Sequence, residues 1–356
     1  MVPAEVGHQP PHSKVGDGGV GVRLFEGETA NEAWSKAATA FLVEGEAQGQ
    51  ASRAGSTCEI LHAVLSIRNP LERWVLAREP AINPAFAIAE TAWILAGRDD
   101  SALPNHWYPG LPSYTGPGER YHGAYGHRLR RRFGLDQLER AYLALRSNPD
   151  SRQVVLQIWD ADLDMPDEEG RPASQDVPCN VLCMLKVRNG KLQWTQVMRS
   201  NDLFHGIPYN LVQFTTLQEV IAGWLGLEVG VYDHLSDSLH VYESDLAKAR
   251  KFDEQLKIAP NTDSLRLSKA ESDETFALLV ARLDAMTKEH LTERRMREIV
   301  DEGDLPEAFQ NVLRIAAADS ARRRMWMRLS KEVALGCTNA ALLQAWGRWV
   351  SRTGTR

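Results

Sequence analysis

"DVPCNVLCMLKVRNGKLQWTQVMRSNDLFHGIPYN", residues 176–210, decides how this chain is read. Apolar runs flank Asn189-Gly190, a dipeptide that accepts positive φ at both positions of a two-residue turn, so two antiparallel strands are predicted. A cysteine beside a proline stands at the mouth of the first strand. A polar run holding Arg, Ser, Asp, Gly and Asn leaves the second. The hairpin therefore delivers a thiol, a guanidinium and a carboxamide toward one place.

Outward from the hairpin, "PYNLVQFTTLQEVIAGWLG" (208–226) sets Phe214, Leu217, Ile221, Trp224 and Leu225 on one face and predicts a helix ended by Gly226. "SDSLHVYESD" (236–245) predicts a short strand, with His240 and Tyr242 on one face and Leu239 and Val241 on the other. On the N-terminal side, a helix, a turn at Asn148-Pro149-Asp150 and a strand from Gln153 to Trp159 are expected. "RDDSALPNHWYPGLPSYTGPGER" (98–120) reads as a long functional loop. "PAFAIAETAWILAG" (84–97) predicts a buried helix, with Pro at its start and Gly at its end. A first helix is expected from Ala30 to Val43, and a strand with a turn in "CEILHAVLSIRNPLERWVL" (58–76). After about Asp273 the chain is helical to its end. Strands between long helices make the fold class α+β. We divide the chain into a flexible tail over 1–20, a catalytic domain over 21–270 and a helical extension over 271–356.

Composition narrows the function classes. The 356 residues are 25% charged and 43% hydrophobic, ordinary for a soluble enzyme, and the formal charge of -6 gives no general reason to bind nucleic acid. Four cysteines (Cys58, Cys179, Cys183, Cys337) are too few for a disulfide scaffold, and no CxxC pair or His-rich tract suggests a metal. No apolar run has signal-peptide or membrane-spanning length. A cytoplasmic protein is expected.

Most free cysteines are small buried hydrophobes, and Cys183 within "VLCML" fits that description. Cys179 has Asp176, Pro178 and Asn180 as neighbours, which leaves a nucleophile open. A thiolate there needs a cation beside it, and Arg199 stands at the far end of the hairpin. Arg53, Arg152 and Arg199 all fall at turn or strand boundaries, where a guanidinium can grip a phosphate through two donors. Glu90 sits in the middle of an apolar helix, so it is either partnered or kept for acid–base work. His240 can be a hydrogen-bonded core histidine or a catalytic one.

Together these residues resemble the thymidylate synthases and their pyrimidine-nucleotide hydroxymethylase relatives. The resemblance runs from about Arg53 to Asp245, and "PDSRQVVLQIWD", "VPCN", "MRSNDLFHGIPYN" and "SLHVY" carry it. It implies a thymidylate-synthase-like fold, with a mixed sheet forming the face of a homodimer. It implies that Cys179 adds to C6 of the base and makes C5 nucleophilic. Arg53, Arg199 and Ser200 would bind the 5′-phosphate, with Arg152 reaching it from the other subunit. Asn210 would read the base edge, and His240 with Tyr242 would hold the sugar 3′-hydroxyl. Asp202, Gly206, Tyr209 and Trp107 would face the co-substrate, 5,10-methylenetetrahydrofolate. Glu90 would relay protons and Tyr125 would lie near C5. No metal, membrane or nucleic acid is required.

The chain departs from the family pattern at four places. The usual histidine after the nucleophile is Asn180, and the second arginine after "DS" is Gln153. "MRSND" and "SLHVY" sit closer to the hydroxymethylases. The chain ends in "WGRWVSRTGTR" rather than a short apolar tail, and a site closed less tightly would let water capture a C5 methylene. Asn210 nonetheless keeps a uracil-reading amide where cytosine-specific relatives are expected to carry Asp. The reading is therefore folate-dependent transfer to C5 of a pyrimidine nucleotide, with methylation of dUMP first and hydroxymethylation of dUMP, dCMP or CMP as the alternative. A non-catalytic nucleotide- or RNA-binding relative is a second alternative. A hydrolase using Cys179, His240 and Asn210 is the third, opposed by the phosphate-binding pattern.

Overall fold

The computed structural model describes residues 21–52, 55–249, 251–252 and 256–353. The tail expected over 1–20 and Arg53 lie outside the described residues. The hairpin forms as expected. Strands β1 (Arg23–Gly27), β2 (Gln48–Ser52), β3 (Gly55–Ile67) and β4 (Val155–Gln157) precede it, β5 (Asn180–Arg188) and β6 (Lys191–Met198) build it, and β7 (Asn201–Asp202) and β8 (Glu228–Tyr242) follow. Asn189 and Gly190 both take positive φ, 53° and 71°, which is the turn their side chains permit.

The eight strands make one mixed sheet in the order β1-β3-β8-β6-β5-β4, with β2 on β3 and β7 on β8. β8 is its axis, antiparallel to β3 on one side and parallel to β6 and β7 on the other. The short strand expected at 236–245 is thus the end of a 15-residue strand. A register shift between Asn180 and Leu182 loosens β5 from β6 where the chain leaves Cys179. The strand expected at Gln153–Trp159 contracts to β4's three residues.

Helix Ile207–Leu225 is buried along almost its whole length. Its polar residues are paired internally: Arg73 Nη2 donates to Glu219 at 2.5 Å, and Gln218 Nε2 donates to Leu192 O at 2.8 Å. Gly226, with φ 66°, ends it in the left-handed conformation. Helix Pro84–Leu95 packs against it, and Asn83 caps that helix by accepting from Ala85 N and Phe86 N at 3.0 and 3.2 Å. The loop expected over 98–120 contains two short helices, Ala102–Trp107, which buries Trp107, and Pro112–Thr115, on which Tyr114 stays exposed.

The C-terminal quarter is not a separate layer. Helices Lys269–Thr287, Glu307–Arg323 and Ala340–Thr353 pack on Pro84–Leu95, and one apolar core runs from Phe25 through Leu279 and Ile315 to Trp346. Asp319 anchors this region without exposure to solvent. It accepts from Arg322 Nε at 2.9 Å, Arg323 Nε at 2.8 Å, Trp349 Nε1 at 3.2 Å and Asn83 Nδ2 at 3.3 Å. Removing one member of such a buried set leaves charge unmatched. Asp319→Ala is expected to lower the unfolding free energy by about 3 kcal/mol, measured by urea denaturation. Asp319→Asn, which keeps the acceptor oxygen, is expected to lose less.

Candidate active site

Arg199 grips the loop that carries Cys179. Its backbone N donates to Cys179 O at 2.9 Å, its Nε to Pro178 O at 3.0 Å and its Nη2 to Val177 O at 3.1 Å. The guanidinium stands 3.9 Å from Cys179 Sγ and 5.5 Å from the centre of the Trp159 ring. The half-buried thiol thus has a fixed cation beside it. Asn180 is fully buried; its Oδ1 accepts from Gln196 Nε2 at 2.5 Å, and its Nδ2 has no partner among the described residues.

Two glycines thread Tyr125 into the site. A Cβ at Gly123 would lie 2.8 Å from Asp176 O, and one at Gly126 would lie 2.3 Å from Ile94 O. Both backbones must therefore press close, one on the loop before Cys179 and one on the helix of Glu90. Gly123 N also donates to the Asp176 carboxylate at 2.8 Å, and burial pushes that carboxyl up to about 6. Burial first, then the charges of Cys179 and Glu90, push the Tyr125 phenol well above its usual range. It stays protonated and can donate.

Glu90 is partly exposed on a helix whose other residues are buried. Its Oε2 accepts from Gln213 Nε2 at 2.5 Å. Burial raises its carboxyl to about 7, and that hydrogen bond only partly opposes the rise. The partner makes Glu90 one end of a chain of amides. Asn210 Nδ2 donates to Gln213 Oε1 at 3.1 Å, and Asn201 Nδ2 donates to Asn210 Oδ1 at 3.0 Å. Asn201 Nδ2 also lies 2.9 Å from His234 Nε2, whose Nδ1 is 2.9 Å from the Tyr232 hydroxyl. Burial lowers His234 to about 3, so its ring is neutral.

On the other wall, Ser200 Oγ is 3.3 Å from His240 Nδ1, and the His240 ring meets Tyr242 edge-on at 5.7 Å. Asp202 pairs with His240 across β7 and β8. Its Oδ1 accepts from Phe204 N and His205 N at 2.6 and 2.7 Å, while its buried Oδ2 has no partner among the described residues. Tyr209 accepts from Asn83 N at 3.0 Å and packs edge-on against Phe86 at 5.1 Å.

Several expectations change. Trp107 offers no stacking face, because it is fully buried with its indole donating to Ala316 O at 3.1 Å. The exposed ring of that segment is Tyr114, which lies 6.5 Å from the His205 ring. Gly206 is explained by Asn201, whose Oδ1 would lie 2.2 Å from an added Cβ, rather than by a cofactor's approach. Arg152 is exposed just before β4. The hydrolase arrangement does not form: His240 pairs with Ser200, Asn210 pairs with two amides, and arginine is the cation beside the sulfur. Sequence reasoning passed over Asn201, Gln213 and His234. The one signal was a row of polar residues (Gln213, Thr215, Thr216, Gln218, Glu219) in an otherwise apolar helix.

Among the described residues, no cluster of three His, Cys, Asp or Glu side chains could hold a metal, and no helix is long and apolar enough to cross a membrane. Residues 39–290 match the family model described as thymidylate synthase. The chain is similar to the deoxyuridylate hydroxymethyltransferase of Bacillus phage SP01, 35% identical over 232 residues, which cover 62% of this chain and 59% of that protein. It is 39% identical over 181 residues to the deoxyuridylate hydroxymethyltransferase of Pseudomonas phage M6, half of each chain. A putative thymidylate synthase of Methanothermobacter marburgensis is 30% identical over 224 residues, 62% of this chain and 93% of that one. The chain thus spans less than two thirds of the length of the two phage proteins.

The raised carboxyl of Glu90 makes a stability prediction. Folding favours its protonated form, so its contribution is fully present below about pH 4.5 and is lost as pH rises through about 7. Glu90→Gln should match the parent near pH 4.5 and exceed it by about 2 kcal/mol at pH 8. Urea unfolding at the two pH values measures the difference.

Proposed function

The chain belongs to the thymidylate synthase family, and from that premise we propose that it transfers a one-carbon unit to C5 of dUMP through a covalent adduct at Cys179. The observation that carries this reading is the single constellation of Cys179 with Arg199, and of Glu90 linked through Gln213 to Asn210. Members of the family use methylenetetrahydrofolate as co-substrate. The unpaired, buried Asp202 Oδ2 fits it, since a carboxylate oxygen with open lone pairs suits the N–H edge of a pterin. Tyr209 and Tyr114 would flank it. When bound, the folate supplies carbon at the oxidation level of formaldehyde.

The chain's own residues do the rest. Arg199 and Ser200 hold the 5′-phosphate, joined by Arg53 and by Arg152 from the second subunit of a homodimer. His240 and Tyr242 hold the 3′-hydroxyl. Cys179 Sγ forms a bond to C6, and the C5–C6 electron pair moves toward O4, where the free N–H of Asn210 donates. Glu90 has a carboxyl poised near neutrality and can both take and return a proton. Tyr125 donates near C5. Glu90 takes the C5 proton while Cys179 stays bonded to C6, and departure of the amine that delivered the carbon would leave an exocyclic methylene on C5. Addition of hydride or water to that methylene returns an electron pair to the ring, which re-forms C5=C6 and breaks the Sγ–C6 bond to free the thiolate.

Sequence reasoning placed methyl transfer first. Similarity to the two phage hydroxymethyltransferases supports capture of that methylene by water, giving 5-hydroxymethyl-dUMP. Similarity to the methanogen protein supports the methyl product. Mass spectrometry of the nucleotide after incubation with methylenetetrahydrofolate and dUMP distinguishes them, by a gain of 30 or 14 mass units (roughly CH2O or CH2). Cys179→Ala is expected to bind dUMP within about threefold of the parent while turnover falls by at least about 10⁴-fold. Retained turnover in that variant, or no product from any pyrimidine nucleotide, would overturn the assignment.

A further inference from the structure

We propose that Gln213, acting with the Glu90 carboxylate, fixes which way the Asn210 amide faces the base and so makes the site select uracil over cytosine. The inference rests on the reading of Asn210 as the residue that meets the base edge. Uracil presents an acceptor at O4 and a donor at N3, whereas cytosine presents a donor at N4 and an acceptor at N3. One asparagine amide can satisfy either base, but only by turning through 180°, which exchanges its oxygen and nitrogen. Selectivity therefore needs something that stops the amide from turning.

Chemistry rather than shape supplies that stop. When Glu90 is ionised its carboxylate only accepts, so above about pH 7 Gln213 must aim its Nε2 at Glu90, as it does at 2.5 Å. Its Oε1 then faces Asn210 and admits only a donor, so Asn210 Nδ2 lies there at 3.1 Å. Asn210 Oδ1 is left facing Asn201 Nδ2 at 3.0 Å, and the second Asn201 N–H is spent on His234 Nε2. Each amide in the chain is thereby committed to one orientation. What remains for a ligand is one Asn210 N–H and one Oδ1 lone pair in a fixed order, which we infer is the order uracil requires in the proposed pose.

The far end of the chain does not enforce direction. His234 is neutral, and its hydroxyl partner Tyr232 can donate or accept, so either ring tautomer completes the chain. Turning every amide over would place a donor at Gln213 opposite Asn210, and Asn210 would then fit cytosine. Only Glu90 distinguishes the two directions, and it can do so only through Gln213. Gln213 is a positioning residue; it need not touch the substrate.

Equilibrium binding of dUMP and dCMP to the full chain, by calorimetry, tests this. The parent is expected to prefer dUMP. Gln213→Leu removes the link, and Glu90→Gln keeps its shape while letting position 90 offer either a donor or an acceptor. Each should reduce the dUMP-to-dCMP preference by about tenfold or more, the value of one correctly oriented two-point contact. A residue that merely supports the fold would weaken both nucleotides alike, and an unchanged ratio in a folded variant overturns the inference while leaving the C5-transfer reading intact. Should Gln213→Leu fail to fold, Glu90→Gln alone decides. A parent that binds dCMP as well as dUMP also overturns the inference; one that binds neither overturns the functional reading beneath it.

Discussion

The buried hydrogen bond from Asn83 Nδ2 to Asp319 Oδ2 joins the three parts of the chain that must agree before a site exists. Asn83 Oδ1 caps the helix that carries Glu90, and its Nδ2 also donates to Trp107 O at 3.1 Å. Its backbone N–H is taken by Tyr209. Asp319 belongs to the C-terminal quarter, where Arg322 and Arg323 compensate its charge. One amide therefore sets the start of the Glu90 helix, the depth of the 98–120 segment and the tilt of Tyr209. A buried carboxylate can do this only because two guanidiniums and an indole share its charge.

That arrangement changes what the C-terminal quarter is. Read as sequence, residues 271–356 look like an addition to a finished catalytic domain. In the fold they supply a wall of it. Arg352 Nη1 donates to Ala81 O at 2.8 Å, just before the Glu90 helix, and its guanidinium lies 5.1 Å from the centre of the Trp349 ring. Trp107 moves inward for the same reason: its indole finds an acceptor in Ala316, a residue of the added helices. A tryptophan that would stack on a ligand in one setting becomes core when neighbouring chain covers it.

The parts legible in the sequence are those fixed by local chemistry. Asn189-Gly190 announced its turn, Gly226 its helix end and the alternation of His240 and Tyr242 a shared strand face, because each depends on a few adjacent residues. β8 was underestimated because Tyr232, His234 and Ser236 are polar residues that a strand normally keeps outside, yet all three are fully buried. His234 is held by Asn201, 33 residues away, and Tyr232 by His234, while the Ser236 hydroxyl has no partner among the described residues; no local pattern reveals the Asn201 contact. Cys179, Arg199 and Glu90 stood out as single anomalies, while Gln213 and Asn201 did not. An amide inside a core looks like noise until its partners are known.

Two such amide chains converge on the site, and each gets its direction from a group that can play only one role. In the first, the Glu90 carboxylate, an acceptor only when ionised, orients Gln213 and then Asn210. In the second, the indole of Trp194 can only donate, and it takes Gln196 Oε1 at 3.1 Å together with the Cys183 thiol at the same distance. Gln196 must then turn its Nε2 to Asn180 Oδ1, which leaves Asn180 Nδ2 as an unmatched buried donor immediately after Cys179. A histidine at that position could change its role with protonation, whereas an asparagine held this way cannot. The two chains thus hold two amide N–H groups of fixed polarity, one on Asn180 next to Cys179 and one on Asn210. Neutral donors held in a dry pocket stabilise charge developing on an oxygen without gaining or losing protons themselves. In the reaction proposed above, proton transfer would then fall to Glu90, whose carboxyl burial raises to about 7.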